Sequence, residues 1–177
     1  MFQQLRYFIQ DYRRATGKYW FRGIYIWLSW GIIGIFFYRI ERGLYILLRK
    51  WYKYIRVPLL PLLYIIQSLS HLDINYHADI KGGLTVLHYS LGIVISGKAI
   101  IGHNLTLVGG NVIGVKTGLS NGEYLIGDNC VFGANAVSIG PLAIGNNVSV
   151  GASSCVIKDV PSGIIVAGVP AKILHVF

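Results

Sequence analysis

The sequence predicts a mainly β protein, in which a parallel β-helix of hexapeptide repeats spans residues 71–177 and an α-helical, aromatic and basic domain spans residues 1–70. Residues 126–156 carry the first signal, because they divide into sixes whose first position is apolar in all cases but one, and glycine follows it directly in four. The second signal is composition. Residues 1–70 hold eleven Lys and Arg against Asp11 and Glu41, so the whole net charge of +9 lies there, together with all four Trp.

The six-residue period has a direct physical explanation. Each six residues supply one short strand and one corner, the aliphatic residue points inward onto its equivalents in neighbouring coils, and Gly or Asn takes the corner, where a positive φ costs little. The spacing leaves no room for a helical crossover between strands, which needs roughly a dozen residues. It also argues against a β-sandwich, where turn signals recur every roughly 8 to 12 residues.

The same register extends toward the amino end of the repeat region. It skips once between Val86 and Ile95, and it is interrupted again between Ile113 and Ile126. The second interruption contains Val115–Glu123, a polar, glycine-rich stretch that predicts a loop. The predicted inward positions are Ile74, Ile80, Val86, Ile95, Ile101, Leu107, Ile113, Ile126, Phe132, Ser138, Ile144, Val150 and Val156.

The first seventy residues read as helices. Gly23–Tyr38 is a run of sixteen residues without charge, which as a helix would span ~24 Å and fall short of the ~30 Å hydrocarbon core of a bilayer. Glu41–Arg56 has leucines on one side and cations elsewhere, which predicts a basic amphipathic helix. We expect Pro58 and Pro61 to break that helix, and Leu59–Gln67 to resume as a short apolar one.

Two explanations fit this helical domain. Its apolar faces can pack on the β-helix or on another subunit, or they can anchor the chain in the plane of a membrane. Clustered Trp and Tyr flanked by Arg and Lys are typical of the bilayer interface, so we favour association with a membrane surface. No recognition motif accompanies the basic residues, so we expect no nucleic-acid partner.

The expected location is the bacterial cytoplasm, peripheral on the inner face of the cytoplasmic membrane. The amino end carries charge throughout and lacks the apolar core of a cleavable signal. Cys130 and Cys155 have neither the spacing of a metal site nor that of a disulfide framework. They predict small residues inside a narrow coil, in a reducing compartment.

His88 is the candidate for chemistry, because it lies in the segment VLHYSLG, where the hexapeptide register skips. Asp73 precedes it by fifteen residues, close to one coil of three hexapeptides, so the two can sit on adjacent rungs. An Asp that bonds a His fixes its tautomer and stabilises its cation, which makes the other ring nitrogen a general base near neutral pH. A single His is more often structural, and the spacing alone leaves both interpretations open.

Three stretches make the sequence similar to a known family: the hexapeptides, the string DINYHADIKGGLTVLHYSLGIVISGKAIIGHN, and the closing VIKDVPSGIIVAGVPAKI. Over residues 71–173 they resemble the serine acetyltransferase group of the left-handed β-helix acyltransferases. The resemblance implies left-handed winding with three hexapeptides to a coil, a homotrimer, and acetyl-CoA as donor substrate without a metal. General crossover chirality would have favoured the opposite hand.

The resemblance also implies roles for single residues. The family's catalytic His falls on His88 and its partner Asp on Asp73. In such enzymes the His takes the proton of an acceptor hydroxyl as the oxygen attacks the thioester of acetyl-CoA, whose CoA arm lies in a groove between two subunits. The matching donor-side positions are Gly114, Ala134 and Ala152 along the groove, and Lys158 and Lys172 for the CoA phosphates.

Two departures from the family bear on the acceptor. Serine acetyltransferases carry an acidic residue directly before the catalytic His and an Arg-His pair in the loop before the later repeats. Here those places hold Leu87 and the neighbourhood of Gly122 and Glu123. A serine carboxylate would find no Arg or His partner there, and its ammonium would lose one carboxylate, whereas a neutral polyol fits better. The expected acceptor contacts are Tyr89, Ser90, Lys116, Asn121 and Glu123.

In this respect the chain is closest in character to the O-acetyltransferases of bacterial exopolysaccharide and capsule synthesis. We therefore predict an enzyme that moves an acetyl group from acetyl-CoA to a sugar hydroxyl in polysaccharide or glycoconjugate synthesis. Two alternatives stay open: a serine O-acetyltransferase of cysteine biosynthesis, and a non-catalytic trimeric scaffold.

Overall fold

Helices and then strands follow each other in the computed structural model, which describes residues 1–19, 21–116 and 124–176. Among these residues the helices are α1 (Phe2–Thr16), α2 (Arg22–Ile26), α3 (Trp30–Leu48) and α4 (Tyr52–Ser70), with a 3₁₀ turn at Arg49–Trp51. The strands are β1 (Leu72–Ile74), β2 (Asp79–Ile80), β3 (Thr85–Val86), β4 (Ile93–Ile95), β5 (Ala99–Ile101), β6 (Thr106–Leu107), β7 (Asn111–Val115), β8 (Tyr124–Ile126), β9 (Val131–Phe132), β10 (Val137–Gly140), β11 (Leu142–Ile144), β12 (Ser149–Val150), β13 (Cys155–Val156), β14 (Ile164–Ala167) and β15 (Lys172–Val176).

The strands form three sheets around one core. The first sheet has the order β1-β4-β7-β10-β13, the second β11-β8-β5-β2 and the third β15-β14-β12-β9-β6-β3. All pairs are parallel except β14 with β15. The chain visits the sheets in turn and completes about four coils from β1 to β13. This is the parallel β-helix that the hexapeptide period predicts.

The predicted inward positions stack on one another. In the first sheet Ile74 pairs with Ile95, Ile95 with Ile113, and Ile113 with Ser138. The second and third sheets repeat the pattern, and every predicted inward residue is buried. The hexapeptide register is therefore confirmed over its whole length. No coil could bury its aliphatic residue without the next one, which is why the repeat must continue.

Ser138, the one polar residue at an inward position, has its own partner. The Tyr124 hydroxyl donates to the Ser138 carbonyl oxygen at 3.0 Å and also pairs with the Ser138 hydroxyl. Asparagines take the corners between the second and third sheets, as the repeat predicts. Asn104, Asn129 and Asn147 all have φ near 60°, and their amides form a ladder from Asn104 to Asn129 to Asn147.

The helices differ from the prediction in where they break. The run Gly23–Tyr38 is divided, because α2 ends at Ile26 and α3 begins at Trp30. The expected helix Glu41–Arg56 is divided too, at Arg49, which has φ 49°. The helical part ends where composition predicts, since α4 stops at Ser70 and His71 adopts φ 54°.

Pro58 and Pro61 do not break a helix, contrary to the expectation, and both lie inside α4. Each proline removes one N–H and so leaves the carbonyl oxygen four residues earlier, of Tyr54 and of Val57, without its helical partner. Both of these residues are exposed. Solvent can pair with carbonyl groups on that side, so α4 continues through both prolines.

A buried ion pair attaches the helices to the β-helix. The Arg39 guanidinium on α3 donates to the Asp11 carboxylate on α1 at 2.9 Å, and both side chains are fully buried. Arg39 also donates to the carbonyl oxygens of Ile80 and Lys81, while Asp11 accepts from the backbone N–H groups of Gly83 and Leu84. These contacts pack α1 and α3 on the β-helix.

The helix α4 has a different environment. Only Tyr52, Ile66 and Ser70 of its nineteen residues are buried, and many large apolar side chains on it are exposed. Among the described residues no helix is both long enough and apolar enough to cross a bilayer.

Candidate active site

One corner of the β-helix, between the third and first sheets, carries His88 on its first turn and small residues on the later turns. Residues 87–92, 108–110, 133–136 and 151–154 form this edge, which we call the His88 corner. Neighbouring turns of a parallel sheet lie about 4.8 Å apart, so the corner is one continuous edge. Backbone hydrogen bonds of 2.8–2.9 Å join its turns, from His88 N to Val108 O, from Asn135 N to Gly109 O and from Ser153 N to Ala134 O.

His88 is exposed because the first turn of this corner is longer than the others. After β3 the chain adds a 3₁₀ turn at Tyr89–Leu91 and leaves it through Gly92, whose φ of 78° favours glycine. His88 stands at the start of that turn with φ −125° and ψ 84°. The insertion places the imidazole outside the wall of the β-helix, as the skipped register predicts.

Asp73 is the middle residue of β1, and it is exposed between two buried neighbours. Its carboxylate therefore points away from the core, into a cleft of about 420 Å³. The cleft and the His88 corner share Leu91, Gly92 and Gly110. Asp73 and His88 thus border one region of the surface, but in this single chain no hydrogen bond joins them, and neither side chain has a hydrogen-bond partner among the described residues.

The donor-side candidates fall into two groups. Ala134 and Ala152 lie on the His88 corner, and Lys172 begins β15 opposite Ala167, next to the end of that corner. Gly114 lies in β7 opposite Ile139, and exposed Lys158 follows β13, so both are toward the other edge of the first sheet. The structure brings the first three to the same edge as His88 and leaves the other two away from it.

The structure describes three of the five acceptor-side candidates, namely Tyr89, Ser90 and Lys116. Tyr89 packs its ring on α3 so closely that Gly31 could carry no side chain, and burial raises the pKa of its hydroxyl to about 12. One face of the Tyr89 ring therefore packs against α3. Ser90 and Lys116 are exposed. Asn121 and Glu123 lie outside the described residues, so their role stays a prediction.

Sequence reasoning missed Asn111, which braces the His88 corner. Its side chain is fully buried, accepts from Gly109 N at 2.9 Å, and donates to Gly133 O at 2.7 Å and to Ala136 O at 3.2 Å. It thereby ties two successive turns of the corner together. The available signal was its position, because Asn111 pairs with Ile93 and takes a place that is apolar on the preceding turn.

Metal and thiol chemistry gain no support from the described residues. No group of three or more His, Cys, Asp or Glu side chains there could hold a metal ion. Cys130 is buried, and burial raises the pKa of its thiol. Cys155 is half-buried, and neither thiol forms a disulfide.

Comparison by sequence finds no matching family model and no matching curated protein. Comparison by structure finds serine acetyltransferases. The enzyme of Neisseria gonorrhoeae superposes with a TM-score of 0.81 at 27% identity, over 99% of this chain and 67% of its own, and a second structure of it holds serine. The soybean apoenzyme gives a TM-score of 0.81 at 26% identity, over 98% of this chain and 70% of its own.

A third structure, the serine acetyltransferase of Brucella abortus strain S19 in complex with coenzyme A, gives a TM-score of 0.79 at 23% identity, over 98% of this chain and 68% of its own. The chain thus spans about two thirds of the length of these proteins. The fold that the hexapeptides and the resemblance predict is confirmed. This chain therefore has the left-handed parallel β-helix fold of the serine acetyltransferases on which it superposes.

Proposed function

We propose that the chain is an acetyl-CoA-dependent O-acetyltransferase in which His88 is the general base. The observation that carries this proposal is the His88 corner, where the insertion exposes one imidazole and the later turns offer only small residues above it. A ring nitrogen of His88 takes the proton of the acceptor hydroxyl while the oxygen attacks the thioester carbon. The tetrahedral intermediate then expels the CoA thiolate, which receives that proton from the imidazolium.

Asp73 is positioned to support this step. A carboxylate near an imidazolium stabilises the cation and fixes the orientation of the ring. The shared border of the Asp73 cleft and the His88 corner supports this role. The two side chains are not bonded in this single chain, and catalytic hydrogen bonds often tighten only in the complex with substrate.

The donor fits along the His88 corner. Ala134 and Ala152 stand on successive turns and leave the backbone open to an extended pantetheine arm. Lys172 begins β15, which stands five strands from β3 in the third sheet, so it lies roughly 24 Å from His88 along the corner, and its ammonium can meet a CoA phosphate. Gly114 and Lys158, at the other edge, belong in this scheme to the neighbouring subunit of a homotrimer, so that the groove has two walls.

L-serine is the acceptor that the structural comparisons favour, ahead of a sugar. The solved neighbours at 26–27% identity are serine acetyltransferases, and one of them has been solved with serine. The hypothesis of a serine O-acetyltransferase is therefore better supported than that of a sugar O-acetyltransferase.

A glycan hydroxyl remains the second candidate because of one residue. Leu87, directly before His88, is 53% exposed and offers an apolar surface where the resemblance requires a carboxylate for the serine ammonium. An unpaired charge that loses water as a site closes costs several kcal/mol. Ser90 and the cleft beside Asp73 suit neutral hydroxyls instead.

One experiment separates these acceptors. The purified chain is incubated with acetyl-CoA and, in parallel, with L-serine, simple sugars and lipid-linked oligosaccharides, while thiol release and product mass are measured. Faster acetylation of serine establishes the serine reading, and faster acetylation of a glycan establishes the other. If no acceptor releases thiol above the rate of a His88→Ala variant, the chain is a non-catalytic scaffold and the proposal is wrong.

A further inference from the structure

The exposed side of α4 and of the 3₁₀ turn before it forms a large apolar surface, which we call the α4 face. Trp51, Val57 and Tyr64 are 62–64% exposed on it, and Tyr54, Leu62 and Ile65 are exposed as well. Monomeric soluble proteins rarely leave a contiguous apolar surface of this kind uncovered. Something must therefore cover the α4 face in the working protein.

Cations border this apolar surface. Lys50 and Lys53 are exposed, and their ammonium groups lie 5.7 Å from the Trp51 ring and 5.0 Å from the Tyr54 ring. The sequence has no acidic residue between Glu41 and Asp73, and Glu41 is paired with Arg56 at 2.9 Å. The partner that fits is thus apolar in its interior and negative at its surface.

Pro58 and Pro61 limit how deeply the α4 face could enter a lipid bilayer. The carbonyl oxygens of Tyr54 and Val57 lack helical partners because Pro58 and Pro61 have no N–H. In a hydrocarbon core each unpaired group costs several kcal/mol, whereas water at the lipid headgroups can satisfy both. A position at the boundary between water and hydrocarbon would bury the apolar side chains and still leave water for the two unpaired carbonyl groups.

We propose that the α4 face binds the surface of an anionic lipid bilayer, with α4 lying in the plane of the interface. Two-fold pairing of two copies through this face fits less well, because it would bring Lys50 and Lys53 of both copies together. The bilayer supplies apolar depth for the rings and negative headgroups for the ammonium groups. This binding does not depend on which reaction the chain catalyses.

The last turn of α4 connects the α4 face to the candidate active site. Gln67 and Ser68, in its last turn, line the same cleft as Asp73. A bilayer that holds α4 therefore holds the mouth of this cleft beside the lipid surface. Given the proposed function, on which this step rests, the position is an argument for its second acceptor candidate, a glycan hydroxyl carried by a lipid-linked molecule.

The test is flotation of the full chain with vesicles of phosphatidylcholine alone and of phosphatidylcholine mixed with phosphatidylglycerol. We expect binding to the mixed vesicles and much weaker binding to the neutral ones. The double variant Lys50→Glu/Lys53→Glu should lower the apparent affinity by at least about tenfold, and Leu62→Ser/Ile65→Ser should lower it also in high salt. Lys98→Glu and Leu125→Ser, on the β-helix, are matched controls that should leave binding unchanged.

Folding and assembly are measured in the same samples by circular dichroism and light scattering. If the wild-type chain is folded and stays unbound to the mixed vesicles, the proposal is wrong. If the α4 variants change the oligomeric state while vesicle binding stays at the wild-type level, a second copy covers the face and the proposal is also wrong. Acetyl transfer to a soluble acceptor is assayed separately, so loss of vesicle binding with intact transfer would leave the proposed function standing.

Discussion

His88 and the residues that hold it work through different physical effects. The imidazole is exposed and makes no side-chain hydrogen bond in the described structure, so it contributes little to the stability of the fold. Asn111 is fully buried and bonds three backbone groups. A substitution at His88 should therefore change activity alone, and one at Asn111 should change stability first.

We expect His88→Ala to lower acetyl transfer by on the order of 100-fold or more, because the general base is lost. Asp73→Asn should lower it less, since it weakens stabilisation of the imidazolium but keeps the base. Steady-state thiol release from acetyl-CoA is the measurement. The matched control is His103→Ala, an exposed histidine on a different corner. Wild-type turnover in His88→Ala would show that the catalytic assignment is wrong.

We expect Asn111→Ala to lower the free energy of unfolding by about 2–4 kcal/mol, because Gly109 N, Gly133 O and Ala136 O lose their partners inside the protein. Urea unfolding followed by circular dichroism measures this. Asn75→Ala removes a single exposed hydrogen bond, to His77 N, and should cost less than about 1 kcal/mol. Equal losses in the two variants would contradict the bracing role of Asn111.

At the scale of elements, the strands were predictable and the helix ends were not. A hexapeptide register is fixed by burial of every sixth side chain. The register found in Ile126–Val156 therefore predicts the inward positions of the other coils. Helix breaks depend instead on what surrounds each turn. Pro58 and Pro61 were expected to end a helix, but the solvent-exposed side of α4 tolerates the carbonyl groups that they leave unpaired.

The attachment of the helices was beyond sequence reasoning for a similar reason. Asp11 and Arg39 are twenty-eight residues apart, and each resembles an ordinary surface charge on an amphipathic helix. Only the folded chain shows that they meet under the first coil. The spacing of His88 and Asp73 could suggest a pair because it is close to one coil, which in the structure runs from Asp73 to Val94. The Asn111 brace depends on side-chain contacts between turns, which no spacing reveals.

We expect Arg39→Ala to destabilise the chain by about 3–5 kcal/mol, because it leaves the Asp11 carboxylate buried without its cation. Loss of helical ellipticity in urea should then begin at a lower concentration than in the wild type. Lys81→Met removes an exposed partner of Asp79 at 3.6 Å and should cost at most about 1 kcal/mol. A small loss in Arg39→Ala would mean that the ion pair does not attach the helices.

At the scale of the whole molecule, the donor groove that we propose leads us to expect an assembly of several subunits. The His88 corner and the edge with Gly114 and Lys158 lie on different sides of the first sheet, so one chain cannot close a groove with both. We expect a homotrimer in light scattering. A fully active monomer would contradict this arrangement.

Subunit mixing tests the shared groove directly. A Cβ at Gly114 would meet only ordinary contacts, the nearest at 3.7 Å, so Gly114→Leu should fold and obstruct the donor wall. Mixed trimers of His88→Ala and Gly114→Leu should recover part of the thiol release that each variant lacks, because some grooves then combine two intact walls. Recovery no greater than the sum of the separate variants would place both walls in one subunit.

The two ends of the β-helix are closed in different ways, and this limits how the molecule can associate. A stack of parallel strands offers unpaired N–H and C=O groups at its first and last coil, and another chain could add there indefinitely. Helices α1 and α3 cover the first coil through the Arg39 and Asp11 contacts, and β15 reverses direction against β14 beyond the last coil. At these two places the parallel coil cannot be continued in register by another chain, which favours sideways contact as the route to a finite assembly.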